Sequence, residues 1–197
     1  MARMPRLVVP NYPHHVTQRG NRRQQTFFVE RDYRTYLNFV TDAMKKVAAS
    51  VWAYCLMPNH VHFVIVPQDK LALAELFSVA HRNYTRHINR RYGWQGHLWQ
   101  ERFHSVVLDE QHLMATVRYV ELNPVRAKLC ADPSDWQWSS VHAHLRGRDD
   151  DVANVGPMLS RTGRWRDYLD SPGDVRTIER LREHSRTGRP LGDDMFL

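Results

Sequence analysis

The sequence predicts an α+β fold: a ferredoxin-like antiparallel sheet with packed helices, plus a helical C-terminal extension and a tail. Apolar segments of period 2 and period 3.6 alternate along the chain in the order β-α-β-β-α-β, which is the element order of that fold. A tight Pro58-Asn59 link joins the second and third predicted strands, which makes them an antiparallel hairpin. Hydrophobic residues make up 42% of the chain, enough to build a substantial core.

The first half of the chain is expected to supply three strands and one helix. A first strand is predicted over residues 13–19, centred on an apolar His-Val-Thr segment. A helix follows over residues 32–48, because Asp32 can cap it and apolar residues recur on one of its faces. The runs of apolar and β-branched residues at 51–57 and 60–67 then predict the two strands of the hairpin.

The second half begins with a long amphipathic helix predicted over residues 71–92. A loop rich in Gly and Trp at residues 93–100 separates it from a fourth strand at 104–108. A third helix is predicted over residues 110–122 and stops before Pro124, because the residue that precedes a proline disfavours helical geometry. These elements complete the β-α-β-β-α-β pattern.

The pattern of residues changes beyond the third helix, and the chain can be divided into three parts. Residues 1–131 form the predicted ferredoxin-like domain. Residues 132–185 form a helical extension of the same domain, whose first helix is expected to include Trp136 and Trp138. Residues 186–197 show no periodicity and are expected to form a flexible tail.

The charge balance points to a polyanionic partner. The net charge is +7, the isoelectric point is about 9.7, and 24 of the 28 basic residues are Arg. Arginine is suited to bidentate phosphate contacts and to stacking on bases. Six Trp and eight Tyr are interleaved with these arginines, as in grooves that bind a single nucleic-acid strand. The alternative is a solvated basic surface without a partner.

Compartment and membrane association can also be predicted. The two cysteines, Cys55 and Cys130, are expected to be reduced thiols of a cytoplasmic protein. No stretch approaches the roughly 18 uninterrupted apolar residues that a membrane-spanning helix needs, so no membrane partner is expected. The amino terminus contains no apolar signal core.

His60 and His62 form the most informative pair of residues. On a strand they point to the same face, with Cα atoms roughly 6.5–7 Å apart, so two imidazoles can bind one metal ion. Two protein ligands leave positions open for substrate, which is a catalytic pattern. A second such pair, His142 and His144, lies in a helical segment, where the side chains diverge and cannot share a metal. The alternative is that His60 and His62 are ordinary strand histidines.

The third predicted helix carries a tyrosine outside its apolar stripe. Leu113, Val117 and Val120 form that stripe, whereas Tyr119 and Asn123 lie in a separate arc and can face one object. A tyrosine hydroxyl can act as a covalent nucleophile, and a metal that polarises a phosphoryl oxygen assists its attack. The alternative is a tyrosine at the edge of the core with a hydrogen-bonded hydroxyl.

Several stretches together match one known family over nearly the whole chain. The chain resembles the single-tyrosine HUH transposases, and most closely the REP-associated tyrosine transposases of bacteria. The matching stretches are Met57-Pro58-Asn59-His60-Val61-His62, Leu98-Trp99-Gln100-Glu101-Arg102-Phe103, Arg118-Tyr119-Val120-Glu121-Leu122-Asn123-Pro124-Val125-Arg126-Ala127, Trp138-Ser139-Ser140, the opening residues 12–21 and the tail residues 187–192.

The resemblance implies a mechanism. His60 and His62 would bind Mg²⁺ or Mn²⁺, and Asn123 occupies the place of a third metal ligand that is often Gln in related transposases. Tyr119 would attack the scissile phosphate of single-stranded DNA and leave a 5′-phosphotyrosine and a free 3′-hydroxyl. The implied substrates are REP or BIME palindromic hairpins with a short single-stranded guide sequence.

The expected partner is therefore single-stranded DNA, bound by a monomer or a weak homodimer in the bacterial cytoplasm near the nucleoid. Seven arginines are candidates for binding this DNA, because they follow the first strand, form a stripe on the second helix or precede the fourth strand. They are Arg19, Arg22, Arg23, Arg82, Arg86, Arg90 and Arg102.

Three other hypotheses remain open from the sequence. A basic ferredoxin-like domain could bind nucleic-acid hairpins without cutting them. A metal-dependent nuclease could use water instead of Tyr119, although two-metal hydrolases usually rely on carboxylate ligands. Finally, the acidic Asp193-Asp194 pair of the tail could occupy the basic groove when DNA is absent.

Overall fold

The computed structural model describes residues 7–172, 179–181, 183–184 and 191. Its centre is a four-stranded antiparallel sheet in the order β2-β3-β1-β4. This strand order, with a helix after β1 and another after β3, confirms the predicted ferredoxin-like fold class. The strands are β1 (His14–Arg19), β2 (Ala49–Met57), β3 (His60–Pro67) and β4 (His104–Val107).

Helices cover both faces of the sheet. The long helices α1 and α2 pack on one face, where Val16 and Phe63 join their apolar side chains in one core cluster. The opposite face carries Val64 of β3, which packs in a second cluster with Val117 of α3. The helices are α1 (Glu30–Met44), α2 (Ala72–Tyr92), α3 (Glu110–Glu121), α4 (Asn123–Arg126), α5 (Val141–Arg146), α6 (Gly156–Leu159) and α7 (Trp165–Asp170).

Helix α1 begins at Glu30, two residues before the position predicted from Asp32 as its cap. The Asp32 carboxylate lies inside the first turn and accepts hydrogen bonds from the backbone N–H groups of Phe28 (2.8 Å) and Val29 (3.1 Å). The same carboxylate pairs with Arg91 at the end of α2. Asp32 therefore accepts hydrogen bonds from backbone N–H groups at the start of α1 although it lies inside the helix, and its pair with Arg91 links α1 to α2.

The segment around Trp136 and Trp138 is not the helix that the sequence predicts. Helix α5 begins only at Val141, and the preceding residues run along the outer edge of β2. The Leu56 N–H donates to the Trp138 carbonyl (2.9 Å), and the Ser140 N–H donates to the Tyr54 carbonyl (3.0 Å). Because β2 lies at the edge of the sheet, its backbone groups need partners, and this segment supplies them.

The C-terminal part is described only in places. Residues 179–181 and 183–184 are helical and lie within the extension that the sequence predicts over residues 132–185. Within the predicted tail, Leu191 is fully buried and donates its N–H to the Val107 carbonyl (2.9 Å). The chain is thus anchored to β4 at this residue. The rest of the tail, with Asp193 and Asp194, lies outside the described residues, and the domain division stays a prediction.

Within the described part of the chain, no helix is both long and apolar enough to cross a membrane. Cys55 is buried in the sheet and Cys130 is half-buried, and neither forms a disulfide.

His14 makes the stability of the fold sensitive to acid. It is fully buried, its Nδ1–H donates to the Tyr12 carbonyl (2.8 Å), and its Nε2 accepts from the Val9 N–H (3.1 Å). Burial lowers the pKa of His14 to about 4. Because this value lies below that of the unfolded chain, about 6.5, the full stability is present above pH 6.5 and falls progressively as the pH drops towards 4.

We therefore expect acidification to cost up to about 3 kcal/mol through His14 alone. Urea unfolding of the wild type and of His14→Gln at neutral and acidic pH measures this contribution. The variant should be less stable at neutral pH, yet lose less of its free energy of unfolding on acidification. An unchanged pH dependence in the variant would show that other groups carry the effect.

Candidate active site

The pairing of β1 with β3 assembles a cavity on the sheet face that α3 covers. Thr17 lies opposite His62 and Arg19 lies opposite His60, so the side chains of both strands point into one space. The cavity measures about 500 Å³. It is lined by His15, Thr17, Gln18, Arg19, Arg23, His60, His62, Gln100, Glu101, His104, Tyr119 and Leu181.

The orientation of His60 is set by its neighbour in the turn. The His60 Nδ1 lies 2.6 Å from the Asn59 Oδ1, and since an amide oxygen only accepts, the Nδ1 carries the proton. The lone pair is then on Nε2. The Asn59 Nδ2 donates to the Arg23 carbonyl (2.9 Å), so one amide holds both the histidine and the turn that bears Arg23.

His62 lies at the centre of a chain of hydrogen bonds. Its Nε2 lies 3.0 Å from the Asn123 Nδ2, and its Nδ1 lies 2.9 Å from the His15 Nε2. With the Asn123 amide donating, His62 carries its proton on Nδ1 and donates to His15. The Nε2 of His62 therefore also carries a lone pair, next to the Asn123 amide.

Burial keeps both histidines of the pair uncharged. It lowers the pKa of His60 to about 3, with a further contribution from Arg19. Burial likewise holds the pKa of His62 well below its usual range, assisted by the neighbouring His60. The two ring centroids are 4.8 Å apart. At neutral pH the pair thus presents two unprotonated imidazole nitrogens close together, the form in which histidine binds a metal.

Helix α3 places Tyr119 beside the histidines. The helix is capped by Asp109, whose Oδ1 accepts the His112 N–H (2.7 Å). The Tyr119 ring lies edge-on to His62, with a centroid distance of 5.9 Å. The guanidinium carbon of Arg126 lies 4.7 Å from the Tyr119 ring centre. Asn123, four residues after Tyr119, contacts the same His62, so both side chains face one site.

The predicted arginines are divided among different surfaces. Arg19 and Arg23 line the active-site cavity. Arg82 and Arg102 line an adjacent cavity of about 400 Å³, which shares Gln18 and Glu101 with the first. The remaining three, Arg22, Arg86 and Arg90, are exposed and line neither cavity.

The second His-x-His pair is separated in the way that helical geometry predicts. His144 is buried and its Nδ1 lies 2.7 Å from the Glu121 Oε1, whereas the His142 Nε2 lies 3.2 Å from the Trp136 carbonyl. The two side chains therefore have different partners and share no site.

Sequence reasoning did not identify His15, Asn59 or Arg126 as part of the site. His15 lies in the site only because β1 pairs with β3, and the register of this pairing cannot be deduced from the sequence. Asn59 could have been found, because it lies in the turn directly before His60.

The described residues include no group of three or more His, Cys, Asp or Glu side chains placed to hold a metal. A metal here would depend on the two histidines, the Asn123 amide and groups of the substrate.

Comparison with known proteins identifies the family. The profile of the family described as "Transposase IS200 like" matches residues 8–123, more than half of the chain. A Haemophilus influenzae protein described as a REP-associated tyrosine transposase is 25% identical over 105 residues, which are 48% of this chain and 60% of the relative. The chain thus covers less than two thirds of that relative's length.

A solved structure of a REP-associated tyrosine transposase bound to a REP hairpin has a similar fold. Its TM-score is 0.59 at 21% identity, and the match covers 79% of this chain and 93% of that one. At this identity the match concerns the fold alone. The family profile, which matches more than half of the chain, establishes that the chain belongs to the IS200-like transposase family.

Proposed function

We propose that the protein is a metal-dependent transposase that cleaves and rejoins single-stranded DNA at REP or BIME hairpins through a 5′-phosphotyrosine on Tyr119. The main support is that Tyr119 and two uncharged histidines line one cavity on the sheet, and that Asn123 contacts one of these histidines, His62. The names of the Haemophilus influenzae relative and of the structural neighbour support the hairpin substrate. Arg19 and Arg23 give the cavity the positive charge that a phosphate backbone needs.

The donor set fits a Mg²⁺ or Mn²⁺ ion that is completed by the substrate. His60 and His62 would supply imidazole nitrogens. Asn123, whose amide nitrogen faces the His62 Nε2 in this structure, would supply its amide oxygen once the amide group rotates. All three donors are neutral, so affinity without DNA is expected to be weak, and the phosphate oxygens would add the negative charge. When bound, the metal would polarise a phosphoryl oxygen of the scissile phosphate.

The chain's own residues would then position and attack the phosphate. The Tyr119 oxygen forms a bond to phosphorus while the bond from phosphorus to the 3′-oxygen breaks. The phenol loses its proton, and the leaving 3′-oxygen takes one up and becomes a hydroxyl. Since one phosphodiester is exchanged for another, the reaction is reversible, and the same tyrosine can return the 5′ end to a new 3′-hydroxyl. Arg126 packs on the tyrosine ring and restrains its orientation.

The proposal is tested with labelled single-stranded DNA that carries the palindromes flanking the gene. The protein and DNA are incubated with Mg²⁺, with Mn²⁺ or with a chelator, and then separated on a denaturing gel. We expect a covalent protein–DNA band that requires metal, and mass spectrometry of the digested band should locate the nucleotide on Tyr119. Hairpin binding without an adduct would instead indicate a binding module. Nicks without an adduct would indicate a nuclease that uses water.

Asn59 offers a separate test of the metal site. We expect Asn59→Ala to weaken the affinity for Mn²⁺ in the presence of DNA by about 10- to 100-fold, because His60 loses the partner that fixes its proton on Nδ1. Calorimetric titration of the protein–DNA complex with Mn²⁺ measures this affinity. Asn38→Ala, which changes an exposed amide on α1, is the matched control. Equal affinities for both variants would argue against His60 as a ligand.

A further inference from the structure

A third recess, of about 530 Å³, lies beside the active-site cavity and has a different chemical character. It opens between the turn after β1 and the loop after α2. Five side-chain amides line it, and they belong to Asn21, Gln24, Gln25, Asn89 and Gln95. None of the described residues that line the recess is acidic, so nothing in its wall repels a polyanion.

An exposed aromatic cluster borders this recess. Trp94 is 48% exposed and Tyr92 is 40% exposed, although both are large aromatic side chains. Their rings are stacked with centroids 4.7 Å apart, and Phe28 packs edge-on to Trp94 at 5.7 Å. The Arg91 guanidinium covers the Tyr92 ring at 4.6 Å. Aromatic rings exposed in this way are typical of surfaces that stack on nucleic-acid bases.

The backbone holds Trp94 in place. Helix α2 ends at Tyr92 and is followed by Gly93, whose φ of 65° lies in the left-handed region that favours glycine. The N–H groups of Gly93 and Trp94 both donate to the Asn89 carbonyl, the latter at 2.9 Å. The Asn89 side chain in turn donates to the Gly96 carbonyl (3.0 Å). The backbone at Trp94 is therefore hydrogen-bonded to the end of α2.

The recess and the active-site cavity are separated by a narrow ridge. Residues 19–21 and 98–100 form it, joined by bonds from the Asn21 N–H to the Leu98 carbonyl and from the Gln100 N–H to the Arg19 carbonyl, both 2.8 Å. Arg23 lines the active-site cavity, whereas its neighbour Gln24 lines the recess. A single strand that ran from the active-site cavity into the recess would cross this basic turn.

The basic turn between the two spaces has an unusual backbone. Arg22 and Arg23 both have left-handed φ values, 52° and 61°, which are uncommon for residues other than glycine. Gly20 permits the turn, because a Cβ there would lie 2.3 Å from the Gln24 carbonyl oxygen. Two consecutive arginines are thus exposed between the recess and the cavity, where phosphates of a crossing strand would pass.

From this geometry we infer that the recess binds an unpaired nucleobase of the single-stranded DNA, stacked on Trp94 with its edge facing the amides. Amides carry both donors and acceptors, so they can read the edge of a base, and aromatic rings bind its face. The inference deepens the proposed function, because it assumes that single-stranded DNA is the substrate. It assigns base discrimination to a site separate from Tyr119.

The test is a double-mutant cycle between Trp94 and single positions of the DNA. The probe is a flanking palindrome with single-stranded extensions on both sides, in which each unpaired base in turn is replaced by an abasic site. We expect one position at which the abasic site weakens wild-type binding by about 5- to 150-fold, the usual worth of one stacked base. At this position Trp94→Ala should add little further loss.

Fluorescence provides an independent readout. 2-Aminopurine at the same position should be quenched by the wild type and by Trp94→Phe, but much less by Trp94→Ala. Leu71→Ala, which removes an exposed apolar side chain at the other end of α2, is the matched control. Circular dichroism of each variant establishes that it is folded.

The outcomes separate this site from the cleavage function. Coupling between Trp94 and one base supports the recess as a base site, whether or not the wild type forms a covalent adduct. An adduct on Tyr119 without coupling at any position would overturn the base site and leave the proposed cleavage function intact. Equal losses for Trp94→Ala at every position would also overturn it, because the loss would then be independent of any base.

Discussion

Replacing Tyr119 with Phe should abolish cleavage and covalent attachment while the DNA remains bound. The phenolic oxygen is the proposed nucleophile, and removing a nucleophile lowers the rate by about 10⁴-fold or more. The ring itself remains, with its contacts to His62 and Arg126, so the affinity for the hairpin should change by less than about fivefold. Single-turnover cleavage and fluorescence anisotropy, measured on the same DNA, separate the two quantities.

The matched control for this prediction is Tyr12→Phe. Tyr12 is an exposed tyrosine that precedes β1, at the end of the strand remote from Arg19. Its hydroxyl should be dispensable for cleavage. If Tyr119→Phe continued to nick DNA at the wild-type rate, water would be the attacking group and the transposase mechanism proposed above would be wrong.

Among the substitutions proposed for this protein, Glu121→Ala should lower the free energy of unfolding the most. The Glu121 side chain is fully buried on α3, two residues after the nucleophile. It accepts hydrogen bonds from the Ser140 hydroxyl (2.6 Å) and the Trp165 Nε1–H (2.8 Å), and it pairs with the His144 Nδ1 (2.7 Å). Removing this carboxylate takes away the partner of the buried Trp165 and His144 groups and one of the partners of the Ser140 hydroxyl, which also contacts the Tyr54 backbone. We expect the free energy of unfolding to fall by about 3–5 kcal/mol.

Urea unfolding followed by circular dichroism measures this change. The control is Glu110→Ala, because Glu110 lies on the same helix but its pair with Arg161 is exposed. That variant should lose no more than about 1 kcal/mol. If Glu121→Ala does not fold, Glu121→Gln retains one acceptor oxygen and should show an intermediate loss. Similar losses for Glu121→Ala and Glu110→Ala would contradict a supporting role for the buried carboxylate.

Much of the sheet could be predicted, because a strand is marked by a run of apolar residues and by the turn or proline next to it in the sequence. The strand at residues 60–67 has the predicted bounds, since both ends are marked by a turn or a proline next to a run of apolar residues. The start of α1 differs because Asp32 acts from the first turn and not from the cap position. The segment of Trp136 and Trp138 differs because its conformation follows from the edge strand beside it, which a local pattern does not contain.

The candidate site could likewise be predicted only in part. The shared face of His60 and His62 follows from strand alternation, and the shared face of Tyr119 and Asn123 follows from helical periodicity. The role of His15 depends on the register between β1 and β3, and the contacts of Glu121 depend on where the C-terminal extension folds back. These contacts join residues far apart in the chain, so no local spacing reveals them.

The segment that runs beside β2 also has a consequence for association between copies of the protein. An edge strand with unsatisfied backbone groups is a template on which another chain can add a strand. Here the Val51 and Tyr54 carbonyls and the Leu56 N–H of that edge already have intramolecular partners. Leu191 similarly occupies the end of β4. The sheet is therefore closed to strand addition at these positions, and a second copy could pair with them only by displacing the segments that already occupy them.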